Sequence, residues 1–162
     1  MTHFEPDRIY LTEAGFRQLE AELRRLQTVE RTRIAEAFRA HKEHGEFSAE
    51  DAELEILKSD QAYVETRIQE IRAILQSATI VREPDIPTDY VGIGSLVTIE
   101  ELPAGERREF RIVGAMEADP EHHKLSYQAP LARALIGYKV GDEVEVHLPK
   151  GALRVRIVDI RK

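Results

Sequence analysis

Apolar residues recur at helical spacing through the first part of the chain, and Thr12, a residue type that favours helix N-caps, precedes them. The spacings alternate between three and four residues over Phe16, Leu19, Leu23 and Leu26. The pattern then slips, because the apolar residues reappear at Ile34, Ala37 and Phe38 rather than at the next heptad positions. The sequence therefore predicts a first helix that reaches residues 42–44 and contains a stutter near residues 28–33.

A heptad repeat predicts a second long helix after a short break. The repeat contains one polar residue and consists of Leu54, Leu57, Gln61, Val64, Ile68, Ile71 and Leu75. Two helices with one apolar seam each bury those seams most simply against one another, as an antiparallel hairpin. At ~1.5 Å per residue, each arm of ~25–30 residues would be roughly 40–45 Å long.

The hydrophobic period changes after residue 80, where VREPDIPTDYVGIG (81–94) has the prolines and glycines of a linker. Short alternating runs then predict five strands, at 95–100, 108–114, 124–128, 142–148 and 153–160. The turn PKG joins the last two strands, and APLARALIG (129–137) predicts one short helix. The predicted fold class is α+β, with an N-terminal antiparallel helical finger over 1–80, a linker over 81–94 and a mainly antiparallel sheet domain over 95–162.

Composition excludes several kinds of protein. The 162-residue chain has no cysteine, which excludes disulfides, thiolate metal sites and a cysteine nucleophile, and which fits a cytoplasmic protein. The N-terminus lacks the pattern of a signal peptide, and no apolar run approaches the ~20 residues that cross a bilayer, so no membrane association is expected. A formal net charge of −7 argues against a dedicated duplex-DNA binder.

Negative charge is concentrated where the two predicted helices meet, in HKEHGEFSAEDAELE (41–55), and no Lys or Arg lies between Lys42 and Lys58. The carboxylates are Glu43, Glu46, Glu50, Asp51, Glu53 and Glu55. Carboxylates suit Mg²⁺, Mn²⁺ or Ca²⁺, but the spacing of a calcium-binding loop is absent, so any ion would be shared with another molecule. The alternative is a solvated, charged helix turn that has no partner.

Several stretches of the chain match segments of one protein family. They are IYLTEAGFRQLEAEL (9–23), IAEAFRAHKEHGE (34–46), DAELEILKSDQAYVETRIQEIRAILQSATIV (51–81), FRIVGAMEADP (110–120) and SYQAPLARALIGYKVGDEVEV (126–146). With these stretches the chain resembles the bacterial Gre transcript-cleavage factors over nearly its whole length. The resemblance implies an FKBP-like fold for the C-terminal domain.

The resemblance also implies a mechanism. In this family the C-terminal domain docks at the rim of the secondary channel of RNA polymerase, and the helical finger enters the channel. When polymerase has backtracked, the RNA 3′ end occupies this channel, and an Asp and a Glu at the finger tip help to hold the second Mg²⁺ of the polymerase site. A protein of this kind has no independent active site and no cofactor of its own, and we expect a monomer.

The resemblance assigns roles to particular residues of this chain. Glu46 and Glu50 are the candidate ligands of the polymerase Mg²⁺, with Asp51 as a third candidate. The segment that contacts polymerase in the family falls on Asp119, Pro130, Leu131 and Ala132. Arg39 and Lys42, just before the tip, are candidates for steering the RNA 3′ end, with ordinary surface charge as the alternative.

The tip departs from the family pattern, which runs close to EHGDLxENAEY, whereas this chain has EHGEFSAEDAEL. The family Asp falls on Glu46. The family Glu falls on Ala49 when counted from the left and on Glu50 when counted from the right, which implies one extra residue within 46–50. An added residue rotates the following helix by ~100° and can misplace a metal ligand.

Two activities of such a tip stay open. The protein could stimulate cleavage of backtracked RNA, or it could inhibit RNA synthesis by binding the catalytic Mg²⁺ unproductively or by blocking NTP entry. The altered tip favours inhibition or an altered activity. Alternatives of another class are an FKBP-like peptidyl-prolyl isomerase, which needs an apolar pocket lined by aromatic residues, and a coiled-coil scaffold with an inert tip.

Overall fold

The structure, a computed structural model, describes residues 4–44 and 50–162, leaving out the side chains at 44, 50 and 51. The helices are α1 (Glu13–Arg25), α2 (Arg31–His44), α3 (Glu50–Ser77) and α4 (Pro130–Leu135). The strands are β1 (Tyr10–Thr12), β2 (Thr79–Val81), β3 (Leu96–Leu102), β4 (Arg107–Val113), β5 (Lys124–Ser126), β6 (Glu143–Leu148) and β7 (Gly151–Arg161). The chain divides into a hairpin unit, Arg17–Ser77, and a sheet unit, which joins the residues up to Phe16 with Ala78–Lys162.

The sheet unit contains both ends of the segment that the sequence assigned to the finger over 1–80. β1 and β2 pair in parallel, with Leu11 opposite Ile80. Tyr10 and Leu11 are buried, so this two-stranded sheet is held by apolar packing as well as by hydrogen bonds. The parts of the predicted finger over 1–80 that lie before Arg17 and after Ser77 thus belong to the sheet unit, and strands of three residues are too short to show an alternating pattern in the sequence.

The second half of the predicted linker over 81–94 is packed into the sheet unit. Val91 and Ile93 are buried in the main core of that unit. The main chain of Val91 is fixed as well, since its N–H donates to the carbonyl of Tyr138 and its carbonyl accepts from the N–H of Gly137. The prolines and glycines around these two apolar residues give the segment the composition of a linker, so composition alone did not predict their burial.

A five-stranded sheet with the order β5-β4-β3-β7-β6 forms the rest of the sheet unit. Three neighbouring pairs are antiparallel and the β4–β5 pair is parallel, so the prediction of five mainly antiparallel strands is confirmed. The predicted turn between the last two strands is also confirmed, with Leu148 opposite Gly151. The predicted helix is α4, and Leu135 from it packs in the core with Ile99 and Ile157.

A π-helical segment, Leu26–Glu30, joins α1 to α2 in the hairpin unit. Leu19, Leu26 and Ile34 are all buried, although the first two are seven residues apart and the last two are eight apart. A π turn absorbs one extra residue, so both flanking helices keep the same face towards the core. The stutter that the sequence predicts near residues 28–33 is thus confirmed, and it takes the form of a π-helical turn.

The second arm of the hairpin, α3, runs antiparallel to the first arm, which consists of α1, the π segment and α2. The ion pairs and contacts between the arms join Glu22 to Arg67, Arg31 to Glu65, Arg33 to Asp60 and His41 to Glu53. Residue numbers rise on one arm as they fall on the other, which establishes the antiparallel direction. Val64, Ile68 and Ile71 are buried, which confirms the middle of the predicted heptad seam. With 28 residues, α3 is ~42 Å long.

The pair between Arg31 and Glu65 predicts a dependence of hairpin stability on pH. The Nε and Nη2 atoms of Arg31 each donate to a carboxylate oxygen of Glu65 at 2.8 Å. This hydrogen bonding holds the pKa of Glu65 below its ordinary value of 4.5. A carboxylate with a lowered pKa in the folded state contributes stability above its unfolded pKa, and this contribution is lost as the pH falls through the lower folded pKa.

We therefore expect Glu65→Gln to lower the Tm of the hairpin near neutral pH and to leave it close to that of the wild type once Glu65 is protonated. The measurement is a series of thermal melts followed by circular dichroism, from about pH 7 to about pH 3. Glu36→Gln, at an exposed position on α2, is the control and should follow the wild type throughout. A constant difference between Glu65→Gln and wild type at every pH would contradict this assignment.

Candidate functional site

The candidate site is the end of the hairpin where α2 finishes and α3 begins. Near this end, His41 Nδ1 on α2 lies 3.9 Å from Glu53 Oε2 on α3. Glu43 and Glu53 are exposed there. Acidic residues in the first turn of a helix interact favourably with its dipole, so part of the charge at the start of α3 stabilises the helix itself.

The predicted tip residues are only partly within the described chain. Glu46 lies outside it, and the main chain of Glu50 and Asp51 forms the start of α3. Arg39 and Lys42 are exposed on α2 just before the tip. Among the described residues, no group of three or more His, Cys, Asp or Glu side chains could hold a metal ion. The tip metal site therefore stays a prediction.

The predicted polymerase-contacting residues divide into surface and core positions. Asp119 is half-buried, and its Oδ2 lies 2.6 Å from His122 Nδ1, a hydrogen bond that lowers the pKa of the Asp119 carboxyl group. Pro130 is exposed at the start of α4. Leu131 is only 8% exposed and Ala132 is 0% exposed, because this side of α4 packs on the sheet. A surface role for the last two side chains is therefore restricted to the exposed edge of Leu131.

A carboxylate that the sequence did not single out fixes the start of α1. Thr12 is the predicted N-cap, and its hydroxyl oxygen accepts the N–H of Gly15 at 3.1 Å. Glu117 accepts the N–H of Thr12 at 3.0 Å, the N–H of Gly114 at 2.9 Å and the hydroxyl of Thr12. A Cβ atom at Gly15 would fall 2.1 Å from Cδ of Glu117, which explains a glycine inside a helix. Because 105 residues separate Thr12 from Glu117, no local signal reveals this contact.

Comparison with known proteins gives the same result for both halves of the chain. The family description "Transcription elongation factor, N-terminal" matches residues 9–80, and "Transcription elongation factor, GreA/GreB, C-term" matches residues 86–162. The transcription elongation factor GreA of Acetivibrio thermocellus is 42% identical over 154 residues, which covers 95% of this chain and 96% of that protein. This chain belongs to the GreA/GreB family of transcription elongation factors. The GreA of Alkaliphilus oremlandii is 43% identical over 154 residues, with 95% and 96% of the two chains covered.

Solved structures of related proteins include the GreA factor homolog 1 (Gfh1) of Thermus thermophilus. It is 32% identical, with 96% of this chain and 99% of that chain covered and a TM-score of 0.42. A GreA/GreB factor from Nitrosomonas europaea is 24% identical, with 96% and 100% covered and a TM-score of 0.42. The two family models and the GreA relatives confirm the predicted resemblance to Gre factors at the level of the GreA/GreB family. In the part of the chain that the structure describes, no helix is both long and apolar enough to cross a membrane.

Proposed function

We propose that this GreA/GreB-family chain binds bacterial RNA polymerase and acts with the acidic end of its hairpin at the Mg²⁺ of the polymerase active site. The observation that carries the proposal is the exposed negative charge of Glu43 and Glu53 at the meeting point of two antiparallel helices, in a stretch without Lys or Arg between Lys42 and Lys58. In this proposal the chain modifies catalysis by polymerase and has no independent active site.

The chemistry of the tip follows from the needs of two-metal hydrolysis. A second Mg²⁺ polarises the phosphate and helps to generate hydroxide, and carboxylates are its preferred protein ligands. We assign this contact to Glu46 and Glu50, with Asp51 as a third ligand. Arg39 and Lys42 would attract the phosphates of the RNA 3′ end towards the acidic tip, because opposite charges at the entrance offset its repulsion of RNA.

We assign polymerase docking to the sheet unit, at Asp119 and Pro130 and at the exposed edge of Leu131. The Asp119 carboxylate is held by His122, so it presents a fixed negative charge rather than a mobile side chain. Ala132 supports this surface from within, because it is fully buried beneath it. In this proposal the sheet unit docks outside the channel, and the tip of the hairpin unit acts at the polymerase active site.

Of the two activities, we favour inhibition or altered activity over ordinary stimulation of cleavage. Glutamate replaces the family aspartate at residue 46, which lengthens the side chain by one methylene group. One extra residue within 46–50 then changes the direction of Glu50 if the helix absorbs it. A carboxylate that still reaches Mg²⁺ but no longer orients water would hold the ion without advancing hydrolysis.

The test uses a stalled, backtracked elongation complex that carries labelled RNA, with the full-length protein added. We expect the protein to bind and to slow NTP incorporation without releasing RNA fragments, and extra Mg²⁺ to relieve the inhibition. Release of short 3′ fragments would instead establish stimulation of cleavage. If the protein neither binds the complex nor changes either reaction, the proposed function is wrong.

One observation bears on the isomerase alternative. The sheet unit has a partly open apolar cavity of about 530 Å³, and Phe4, Tyr10 and Tyr90 contribute to its wall. Two other aromatic residues of the sheet unit, Phe110 and Tyr127, are buried in its core and do not line this cavity. The cavity gives this alternative apolar walls, but membership of a family of transcription elongation factors supports the polymerase proposal.

A further inference from the structure

A cleft at the outer edge of the five-stranded sheet collects positive charge in a chain whose net charge is −7. The cleft has a volume of about 700 Å³. Its basic lining residues are Arg107, Arg108, Arg111, His122, His123 and Lys124, and Glu109 is the only carboxylate among its lining residues. Four of these residues, the three arginines and Lys124, are cations, and like charges repel unless a counter-charge is present.

The counter-charges within the described chain leave much of this positive charge uncompensated. Glu109 is engaged by Arg161, which lies outside the cleft lining. Arg108 is paired with Glu101 at 3.0 Å. Arg111 donates from Nη1 to the carbonyl of Gly94 at 2.6 Å, a neutral acceptor that leaves its charge uncompensated.

Arg107 and Lys124 are the other two cleft cations, and Arg107 lies opposite Glu100, a carboxylate outside the cleft lining, in the β3–β4 pair. Neither forms an ion pair with a carboxylate in the part of the chain that the structure covers. Together with Arg111 they give the cleft a net positive charge that a ligand of opposite sign would balance. Both side chains border the cleft, so a bound anion could reach them without rearrangement of the sheet.

Strand register places these cations on one side of the sheet edge. Arg111 lies opposite Lys124 in the parallel β4–β5 pair. Arg107 is four residues earlier on β4, ~13 Å away, and alternation along a strand turns its side chain to the same side as that of Arg111. Phe110 and Ile112 point the other way and are buried. Arg107, Glu109 and Arg111 therefore share one side of β4, and the Glu109 carboxylate between the two arginines is held by Arg161.

The main chain of β4 adds hydrogen-bond donors to these side chains. Ile112 bonds towards β3, because its N–H donates to Ser95 and its carbonyl accepts from Gly94. Main-chain groups alternate in direction along a strand, so those of Glu109 and Arg107 point to the outer edge. β5 begins its pairing with β4 only at Arg111. The N–H groups of Glu109 and Arg107 therefore point to the part of the edge that β5 does not cover.

We propose that this cleft binds the polyphosphate chain of a nucleotide. Guanidinium groups match phosphate oxygens in geometry, and main-chain N–H groups add further charge-assisted hydrogen bonds. The volume lies within the range of roughly 300–1,000 Å³ that small-molecule sites occupy. Leu125 and Leu131 also line the cleft; Leu125 is opposite Ile112 on the core side of the sheet, so a nucleoside would contact these leucines past the open edge of β4.

The surroundings favour a compact ligand over a nucleic-acid strand or an acidic peptide. The basic residues are flanked in the sequence by acidic ones, Glu100, Glu106 and Glu121. The positive charge is therefore not continuous enough to bind the backbone of a nucleic-acid strand. Phe110 is buried, so it offers no exposed ring on which a base could stack. In an extended acidic peptide, successive carboxylates on one side are ~7 Å apart, so its negative charge is less concentrated than that of a triphosphate.

The test is isothermal titration calorimetry of the full-length protein with inorganic triphosphate and with ATP at low salt. The double variant Arg107→Gln/Lys124→Gln removes two cleft cations, and Lys139→Gln/Lys150→Gln removes two exposed cations of the same unit outside the cleft. We expect at least ~10-fold weaker binding of both probes by the cleft variant and less than ~2-fold change in the control. Arg107→Gln alone, at an exposed position, replaces the double variant if the latter does not fold.

The proposal is wrong if the wild type does not bind triphosphate, or if the cleft and control variants weaken its binding equally. It is also wrong if a short RNA without terminal phosphate, or a polyglutamate peptide, binds at least ~10-fold more tightly than triphosphate. Tighter binding of ATP than of triphosphate supports a nucleoside contact with these leucines. The experiment contains no polymerase, so its failure leaves the proposed function untouched, and failure of the polymerase assay leaves the cleft untouched.

Discussion

Deletion of Val29 leaves the hairpin unit folded, whereas deletion of Ala37 destabilises it strongly. Val29 lies in the π segment and is 59% exposed. Its deletion shortens the distance from Leu26 to Ile34 from eight residues to seven, which is one heptad, so a regular α-helix can keep both residues buried. The deletion thus removes the extra residue that the π turn accommodates.

Deletion of Ala37 has the opposite effect because it falls in regular α-helix. Every later residue of α2 rotates by ~100° relative to the seam, which carries the half-buried side chains of Phe38 and His41 away from α3. Loss of such packing costs ~2–4 kcal/mol, which corresponds to a Tm lower by roughly 10–20 °C for a unit of this size.

Thermal melts of the full chain, followed by far-ultraviolet circular dichroism, measure this contrast. Near-ultraviolet signals report on the sheet unit, because Tyr10 and Tyr127 are buried there edge to face, while Tyr63 is exposed on α3. That signal should melt at the wild-type temperature in both variants. Equal destabilisation by the two deletions would show that the π segment is not a one-residue insertion in the seam.

Features with a local period could be predicted from the sequence. The eight-residue spacing between Leu26 and Ile34, in place of seven, indicated an irregular turn in the first arm, because a helix that packs against one partner keeps the same face buried. The same reasoning located Val64 and Ile68 in the seam of α3. Such patterns can be recognised within about ten neighbouring residues, because the spacing of apolar residues along a helix identifies its buried face.

Contacts across long distances in the chain could not be predicted in this way. The β1–β2 pair and the carboxylate of Glu117 on Thr12 join residues about 70 and 105 positions apart. The basic cleft depends on Arg111 lying opposite Lys124 in a parallel pair, and a reading of mainly antiparallel strands does not bring those two together. Burial of Ala132 depended likewise on which side of α4 meets the sheet.

Replacing Glu46 and Glu50 together by glutamine should abolish the effect of the protein on RNA polymerase and leave binding intact. The amide keeps the size of each side chain but removes the negative charge that Mg²⁺ requires. Displacement of a catalytic group by ~1 Å can cost ~100-fold in rate, so removal of both ligands should reduce the effect at least as much. The assay is the backtracked complex, read for RNA release and for NTP incorporation.

The matched control is Glu36→Gln/Glu55→Gln, which removes the same charge from exposed positions on α2 and α3. It should act like the wild type, because those carboxylates lie along the arms rather than at residues 46–50. If the control loses as much activity as the tip variant, net charge of the finger controls the effect. The assignment to Glu46 and Glu50 would then be wrong.

Deletion of Ala49 separates the two activities. It changes EHGEFSAEDAEL to EHGEFSEDAEL, which restores the family spacing between the acids at positions 46 and 50. If the extra residue directs the second carboxylate away from the attacking water, the deletion should convert slowed incorporation into release of RNA fragments, and binding should not change. An unaltered pattern would assign the activity to the longer side chain of Glu46, which Glu46→Asp in the deleted background then tests directly.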